Sequence, residues 1–180
     1  VAKDGKIYQP LTDTAIKGIY KVTKGEETAE SKTEFTLTIP GIHETAGENT
    51  KPTVVPELAE WHGKAGFFKV TSNTRLVIDA NAKDIATKAA QAFQVDYKEA
   101  TGKELAIVTD ETAKPGDIFF TKDTTNNLGK EGYIMDIDDI VTIKAEQATG
   151  AYWSTRSMLQ ILKLEDDTMP KGLTRVYPKY

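Results

Sequence analysis

The stretch from Gly129 to Gln160 decides the fold. It reads GKEGYIMDI over 129–137, DDIVTIKA over 138–145 and GAYWSTRSMLQ over 150–160. Apolar and polar residues alternate in the first two segments, as they do in half-buried strands. Asp138 and Asp139 tolerate the backbone angles of a hairpin turn, and the third segment opens at a glycine and has helical apolar spacing. The stretch therefore predicts two strands joined by an acidic turn, followed by a helix.

The sequence before this stretch carries further strands and one long helix. Residues 67–71 and 75–79 read as strands joined by a turn at 72–74, which predicts a hairpin. Residues 105–109 and 117–121 read as two more strands, separated by the turn signal KPG at 114–116. A helix is predicted over 83–100, where apolar residues recur every four positions, with Asn81 as its N-cap and Gly102 as its end.

The order of elements predicts the fold class. The second helix is predicted over 149–163, with its apolar face formed by Ala151, Thr155, Met158, Leu159 and Leu162. Two strands, a helix, four strands and a helix predict an α+β fold. We expect a mostly antiparallel or mixed β-sheet, with two helices packed on one face. This domain is assigned to residues 51–180.

Residues 1–50 have a different pattern. Residues 18–23 and 34–39 alternate as strands do, residues 24–32 read as a solvated loop, and residues 41–52 read as a linker. Two strands alone cannot bury a core. This short β segment is therefore either an accessory hairpin or the stub of an upstream β-domain, and the sequence leaves both open.

Composition excludes several classes of function. The 180 residues include no cysteine, which excludes disulfides, thiolate nucleophiles and cysteine-based zinc sites. Only His43 and His62 are available as imidazole ligands, and a net charge of -4 argues against a nucleic-acid-binding surface. No apolar run is long enough for a membrane span, and no signal peptide is visible. We expect an excised fragment that needs no cofactor and no metal.

The order of these segments resembles the non-catalytic domain that precedes the barrel in family 20 glycoside hydrolases, the β-N-acetylhexosaminidases. The most specific matches are EGYIMDI at 131–137 and GAYWSTRSMLQ at 150–160. The ending TRVYPKY at 174–180 resembles the segment that leads into the barrel, and the resemblance covers residues 54–180. Related domains precede the barrels of family 84 and of some α-glucuronidases, but the YPKY ending favours family 20. Ser154 and Val176 depart from the family, which often has glycine and aspartate there.

The resemblance implies a zincin-like accessory domain with a structural role. The catalytic barrel of the same polypeptide would follow Tyr180 and carry the family's adjacent Asp-Glu pair, which works with the acetamide group of the substrate as nucleophile. The parent would release terminal N-acetylglucosamine or N-acetylgalactosamine from glycans, outside the cell or at its surface. We expect the second helix and the exit segment to contact the barrel, with Tyr152, Trp153, Tyr177 and Pro178 as interface residues.

Two acidic groups within the chain invite a chemical interpretation. Asp110 and Glu111 are adjacent carboxylates, but their turn-like context favours a solvated loop, because a general acid needs burial to raise its pKa. Asp136, Asp138 and Asp139 suggest a calcium site, but they lack the glycine and the distal glutamate of an EF-hand loop. A hairpin turn accounts for two of these three aspartates.

Two other functional classes remain as alternatives. A stand-alone carbohydrate-binding or adhesion module would need exposed aromatic side chains, for which Trp61, Tyr152 and Trp153 are the candidates. Trp61 beside His62 is more typical of a tryptophan that closes the edge of a core. A zinc peptidase is suggested only by the zincin-like fold, and the chain has no His-Glu-x-x-His motif.

Overall fold

A computed structural model gives the structure of residues 2–3, 6–7, 14–39 and 49–176. The chain forms two compact units, Val1–Thr45 and Ala46–Tyr180. Neither helix in the described ranges combines the length and the apolar character that crossing a bilayer requires.

In its described residues, the first unit forms antiparallel strand pairs. The pairs are β1 (Ala2–Lys3) with β2 (Lys6–Ile7), β3 (Thr14–Gly18) with β6 (Phe35–Ile39), and β4 (Lys21–Lys24) with β5 (Glu27–Glu30). The predicted strands at 18–23 and 34–39 overlap β4 and β6, but these two strands are not partners. The predicted solvated loop at 24–32 contains β5, whose residues are nonetheless all exposed. Most of the predicted linker, residues 41–48, lies outside the described residues.

Within residues 49–176, the second unit forms a seven-stranded sheet and two helices. The helices are α1 (Lys83–Thr101), preceded by a 3-10 turn at Ala80–Ala82, and α2 (Ala148–Leu164). The strands are β7 (Glu60–Lys69), β8 (Arg75–Ile78), β9 (Ala106–Thr109), β10 (Ile118–Lys122), β11 (Tyr133–Ile137), β12 (Val141–Ala145) and β13 (Thr168–Val176). Their order across the sheet is β7-β13-β11-β12-β10-β8-β9.

The sheet is mixed, and its parallel part accounts for the position of α1. The pairs β7–β13, β13–β11 and β11–β12 are antiparallel, whereas β12–β10, β10–β8 and β8–β9 are parallel. Neighbouring parallel strands need a crossover connection, and α1 is the crossover from β8 to β9. The two helices pack against each other, and α1 contacts β8, β9 and β10 while α2 contacts β11, β12 and β13. The predicted α+β fold with both helices on one face is confirmed.

The core lies between the sheet and the helix pair. Tyr133, Met135 and Ile137 alternate along β11 and are buried, and the Tyr133 hydroxyl is 2.7 Å from Ser157 Oγ on α2. From α1, Phe93 and Tyr97 stack at a ring-centroid distance of 5.7 Å and are fully buried. Burial of such side chains stabilises the fold by about 1.5–3 kcal/mol each.

The predicted hairpin at 67–71 and 75–79 is wrong. A tight turn is present, with the Thr74 N–H donating to the Thr71 carbonyl at 3.1 Å. However, β7 lies at one edge of the sheet and β8 lies beside the opposite edge. The turn residues fix only the local direction of the chain, and β7 pairs instead with β13, a strand about a hundred residues later that the sequence pattern does not indicate.

The helix ends agree with the sequence in one case and differ in another. Gly102 ends α1 in the left-handed conformation at φ 74°, and its N–H donates to the Lys98 carbonyl, as its position predicts. Asn81 is not the N-cap of α1. Asp79 caps the preceding 3-10 turn instead, by accepting from the Asn81 N–H, so the capped turn starts two residues earlier than predicted.

Candidate functional site

The outer surface of the helix pair carries an exposed aromatic patch. Tyr152 and Trp153 lie in the first turns of α2 and remain 38% and 44% exposed. Their rings meet edge to face at a centroid distance of 5.5 Å. Val95 on α1 is 61% exposed. Buried residues on either side of the aromatic pair, including Ala151 and Ser154, hold this part of α2 against the fold, so the two rings project outward.

Arg156 fixes this patch and joins the two helices. Its guanidinium carbon lies 4.8 Å from the centroid of the Tyr152 ring, within range of a cation–π interaction. Its Nη1 forms an ion pair with Asp96 of α1. We call Asp96, Tyr152, Trp153 and Arg156 the helix-pair patch. The sequence-predicted interface residues Tyr152 and Trp153 therefore lie together on one surface, whereas Tyr177 and Pro178 lie outside the described residues.

Trp61 is part of the core edge. Its ring packs against the buried cluster, and its indole N–H donates to the Asn49 carbonyl at 3.0 Å. A methyl group on Gly172 would lie 2.3 Å from this ring, so the two residues are in close contact across β7 and β13. His62 is only 7% exposed. The interpretation of Trp61 as a residue that closes the core is confirmed.

Asp110 and Glu111 lie in the loop after β9, as predicted. Their side chains are 50% and 54% exposed. Asp110 forms an ion pair with Lys83, and Glu111 Oε2 accepts from Arg75 Nη1 at 2.6 Å. Both carboxylates are thus half-exposed and each already contacts a cationic side chain, as expected for a solvated loop.

The aspartates at 136–139 are neutralised by lysines. Asp138 and Asp139 belong to the turn between β11 and β12, as predicted. Lys64 Nζ donates to Asp136 Oδ1 at 2.7 Å and to Asp138 Oδ2 at 2.9 Å. Lys171 pairs with Asp138 and Asp139. The hydrogen bond from Lys64 lowers the pKa of Asp138 despite partial burial. In ranges 14–39 and 49–176, no group of three or more potential ligands could hold a metal ion.

The sequence pattern misses a buried ion pair next to the Asp110–Glu111 loop. Asp117, with a side chain 1% exposed, accepts from Arg75 Nε at 3.1 Å and from Nη2 at 2.7 Å. Burial raises the pKa of Asp117, but the hydrogen bonds from Arg75 and from the Lys114 N–H outweigh it, and the pKa is lowered. The parallel register of β8 and β10, with Leu76 opposite Ile118, brings the pair together, and this register is not visible in the local sequence.

Comparison with known proteins identifies the second unit. Residues 51–175, more than half of the chain, match the family model of glycosyl hydrolase family 20, domain 2. The chain is 30% identical over 148 residues to a lacto-N-biosidase of Bifidobacterium bifidum, in a match that covers 78% of this chain and 12% of that protein.

Solved structures share the fold. A β-N-acetylhexosaminidase of Bacteroides fragilis matches 70% of this chain and 25% of its own, with a TM-score of 0.54 and 16% identity. A family 20 β-N-acetylhexosaminidase of Streptomyces coelicolor matches 69% of this chain and 26% of its own, with a TM-score of 0.53 and 21% identity. The chain thus spans only a small part of its relatives. Its residues 51–175 are domain 2 of glycosyl hydrolase family 20, and the chain belongs to that family.

Proposed function

We propose that residues 51–175 act as a non-catalytic accessory domain and dock onto the catalytic barrel of a family 20 enzyme through the helix-pair patch. The observation that carries this proposal is the exposed pair Tyr152 and Trp153, set beside Arg156 on the outer side of the helices. Tyrosine, tryptophan and arginine are the residues most enriched at the energetic centres of protein interfaces.

The patch is pre-organised for docking. Arg156 is held by the Tyr152 ring on its own helix and by Asp96 on α1, so it needs little further ordering when a partner binds. A surface whose side chains are already fixed loses less conformational entropy on association. Because the ion pair joins α1 and α2, the patch is attached to both helices.

The absence of catalysis in this domain is part of the proposal. The Asp110–Glu111 pair is half exposed and ion-paired with Lys83 and Arg75. A glycosidase acid must hold its proton near neutral pH, usually through burial in an apolar site. Neither carboxylate is in such a site. The family's Asp-Glu pair would then belong to the barrel.

The parent enzyme is proposed to hydrolyse terminal N-acetylhexosamine from glycans, outside the cell or at its surface. The solved relatives described as β-N-acetylhexosaminidases support this activity. A second candidate is a lacto-N-biosidase-type activity, because the relative of that name is 30% identical, above the identity to either hexosaminidase structure. Parallel assays of the parent enzyme with an aryl N-acetyl-β-glucosaminide and an aryl lacto-N-bioside distinguish the two activities. A comparison of the activity in culture medium with that in cell extract tests whether the enzyme is outside the cell.

The docking proposal is tested in the parent enzyme with Tyr152→Ala and Trp153→Ala. We expect each variant to weaken association between the accessory domain and a separately produced barrel, and to lower the barrel's melting temperature in the intact enzyme. Phe67→Ala is the matched control, because Phe67 is 62% exposed on β7, away from the helices. Unchanged association in both patch variants, with circular dichroism showing a folded domain, would contradict the proposal.

A separate assay tests whether the accessory domain lacks catalysis. The isolated chain is expected not to hydrolyse an aryl N-acetyl-β-glucosaminide. Turnover by the purified chain that disappears in the double variant Asp110→Asn, Glu111→Gln would show that this pair is catalytic after all.

A further inference from the structure

The sheet face opposite the helices carries an open cavity of about 520 Å³. Its size falls within the range of roughly 300–1,000 Å³ that is usual for small-molecule sites. The cavity lies at the end of the sheet formed by β8, β9, β10 and β12. Its main lining residues are Asp79, Asp110, Glu111, Thr112, Phe119 and Thr142.

Phe119 forms the floor of this cavity. Its neighbours in β10, Ile118 and Phe120, are fully buried toward the helices. Since side chains alternate along a strand, the Phe119 ring lies on the opposite face and is partly buried. In the sheet register Phe119 lies between Val77 of β8 and Thr142 of β12. A partly buried aromatic ring with a threonine beside it therefore lies at the base of the cavity.

The loop that forms one wall is held in place by the buried ion pair. Arg75, fixed by Asp117, donates from Nη1 to Glu111 Oε2 at 2.6 Å and from Nη2 to the Thr112 carbonyl at 3.4 Å. The Asp110 N–H donates to the Ile78 carbonyl at 3.2 Å, which ties the loop to β8. These contacts tie the backbone of the loop to β8 and place the Glu111 carboxylate against Arg75.

Asp79 lines the other side. Its Oδ2 accepts from the Thr121 hydroxyl at 2.8 Å, and its Oδ1 accepts from the Asn81 N–H. A carboxylate offers about four lone-pair sites, so each oxygen can accept a further hydrogen bond.

We propose that this cavity binds a neutral saccharide of one or two pyranose units. Sugar hydroxyls donate to fixed carboxylates, and the C–H face of a pyranose ring packs on an aromatic face. The three lining carboxylates disfavour an anion. A cation is disfavoured as well, because Lys83 and Arg75 already contact Asp110 and Glu111. The site lies on the face opposite the helix-pair patch, so it goes beyond the proposed docking role and is open when the helices are covered.

The experiment is a titration of the ¹⁵N-labelled chain with N-acetylglucosamine and with N,N′-diacetylchitobiose, followed by NMR. We expect saturable amide shifts confined to 79–80, 110–113, 119 and 140–142. Phe119→Leu, which keeps apolar volume but removes the ring, should weaken binding about tenfold, corresponding to about 1.4 kcal/mol. Asp79→Asn should weaken binding similarly. Phe67→Ala, an exposed aromatic at the other edge of the sheet, should leave binding unchanged.

Three outcomes would overturn the saccharide site. These are no saturable shift with either sugar, shifts that map to Tyr152 and Trp153, or binding that Phe119→Leu leaves intact while circular dichroism shows a folded domain. A titration with calcium chloride alone that produces the same shifts would show a cation site instead. Phe119 is not part of the helix-pair patch. If Phe119→Leu loses sugar binding but still associates with the barrel, the saccharide site is distinguished from the docking surface.

Discussion

Gly150 at the start of α2 packs directly on the carbonyl group of Gly132 before β11. A methyl group on Gly150 would lie 2.2 Å from the Gly132 carbonyl oxygen, and one on Gly132 would lie 2.2 Å from the Leu128 carbonyl oxygen. The Gly150 N–H also donates to the Lys130 carbonyl at 3.2 Å. Gly132 and Gly150, two glycines within the deciding stretch, are thus in direct contact with backbone atoms, which holds the start of α2 against the segment that leads into β11.

Replacing Gly150 by alanine is expected to lower the free energy of unfolding by about 2 kcal/mol or more, because the added methyl group meets backbone that cannot move aside. Helix propensity alone predicts the opposite sign, a gain of up to about 1 kcal/mol. Urea denaturation measures the difference. The control is Ala148→Gly, at an exposed position two residues earlier in α2. It should lower the free energy of unfolding by no more than about 1 kcal/mol. A Gly150→Ala protein as stable as the parent chain would refute the close packing.

Elements with a local signature could be predicted from the sequence, and elements defined by distant partners could not. Tyr133, Met135 and Ile137 occupy alternate positions of β11 and belong to the core cluster, and this alternation is visible without any knowledge of the fold. β13 has no such alternation, because Met169, Pro170 and residues 172–175 are all buried. A strand that is covered on both faces does not show an apolar–polar alternation with a period of two. The proline and glycine of β13 lie at a shift in its pairing register, and in the sequence these two residues resemble a loop.

The candidate sites divide in the same way. Tyr152 and Trp153 are adjacent in sequence, so the helical pattern alone places both off the apolar face and on the surface. Arg75 and Asp117 are 42 positions apart and meet only because β8 and β10 pair in parallel. The cavity over Phe119 depends on that same pairing, which is why neither could be predicted from sequence.

Asp117→Asn is expected to destabilise the second unit by about 2–3 kcal/mol. The substitution replaces a buried charged acceptor and weakens both hydrogen bonds from Arg75. Glu111→Gln removes the other carboxylate that Arg75 contacts, but this side chain is 54% exposed, so its effect should stay within about 1 kcal/mol. Thermal or urea unfolding measures both. Equal effects of the two variants would contradict a dominant role for the buried pair.

Calcium is expected to leave the melting temperature of the chain unchanged. Asp136, Asp138 and Asp139 present their carboxylates to Lys64 and Lys171, so a cation would have to displace both ammonium groups. Differential scanning fluorimetry with millimolar calcium chloride, against the same concentration of magnesium chloride, checks this. If calcium alone raised the melting temperature, and the rise vanished in Asp138→Asn, the turn would be a cation site.

The stability of the second unit is expected to fall as the pH drops below the ordinary carboxyl pKa of 3.8, with Asp167 as one named cause. Burial raises the pKa of Asp167, but hydrogen bonds from Lys103 and from the Tyr97 hydroxyl, the latter at 2.8 Å, outweigh burial and lower it. Between the folded and unfolded pKa values the unfolded chain binds more protons, so this contribution is complete above pH 3.8 and is lost as the pH falls through the folded value.

Asp167→Asn keeps the φ of 60° accessible, since asparagine tolerates that region. This variant should lower the free energy of unfolding at neutral pH by about 1–3 kcal/mol. In urea denaturation at a series of pH values, its free energy of unfolding should fall less steeply at acidic pH, a region called the acid limb here. Tyr97→Phe removes one donor while retaining the ring and should move the limb in the same direction by less. An acid limb as steep in Asp167→Asn as in the parent chain would exclude Asp167 as a source of the pH dependence.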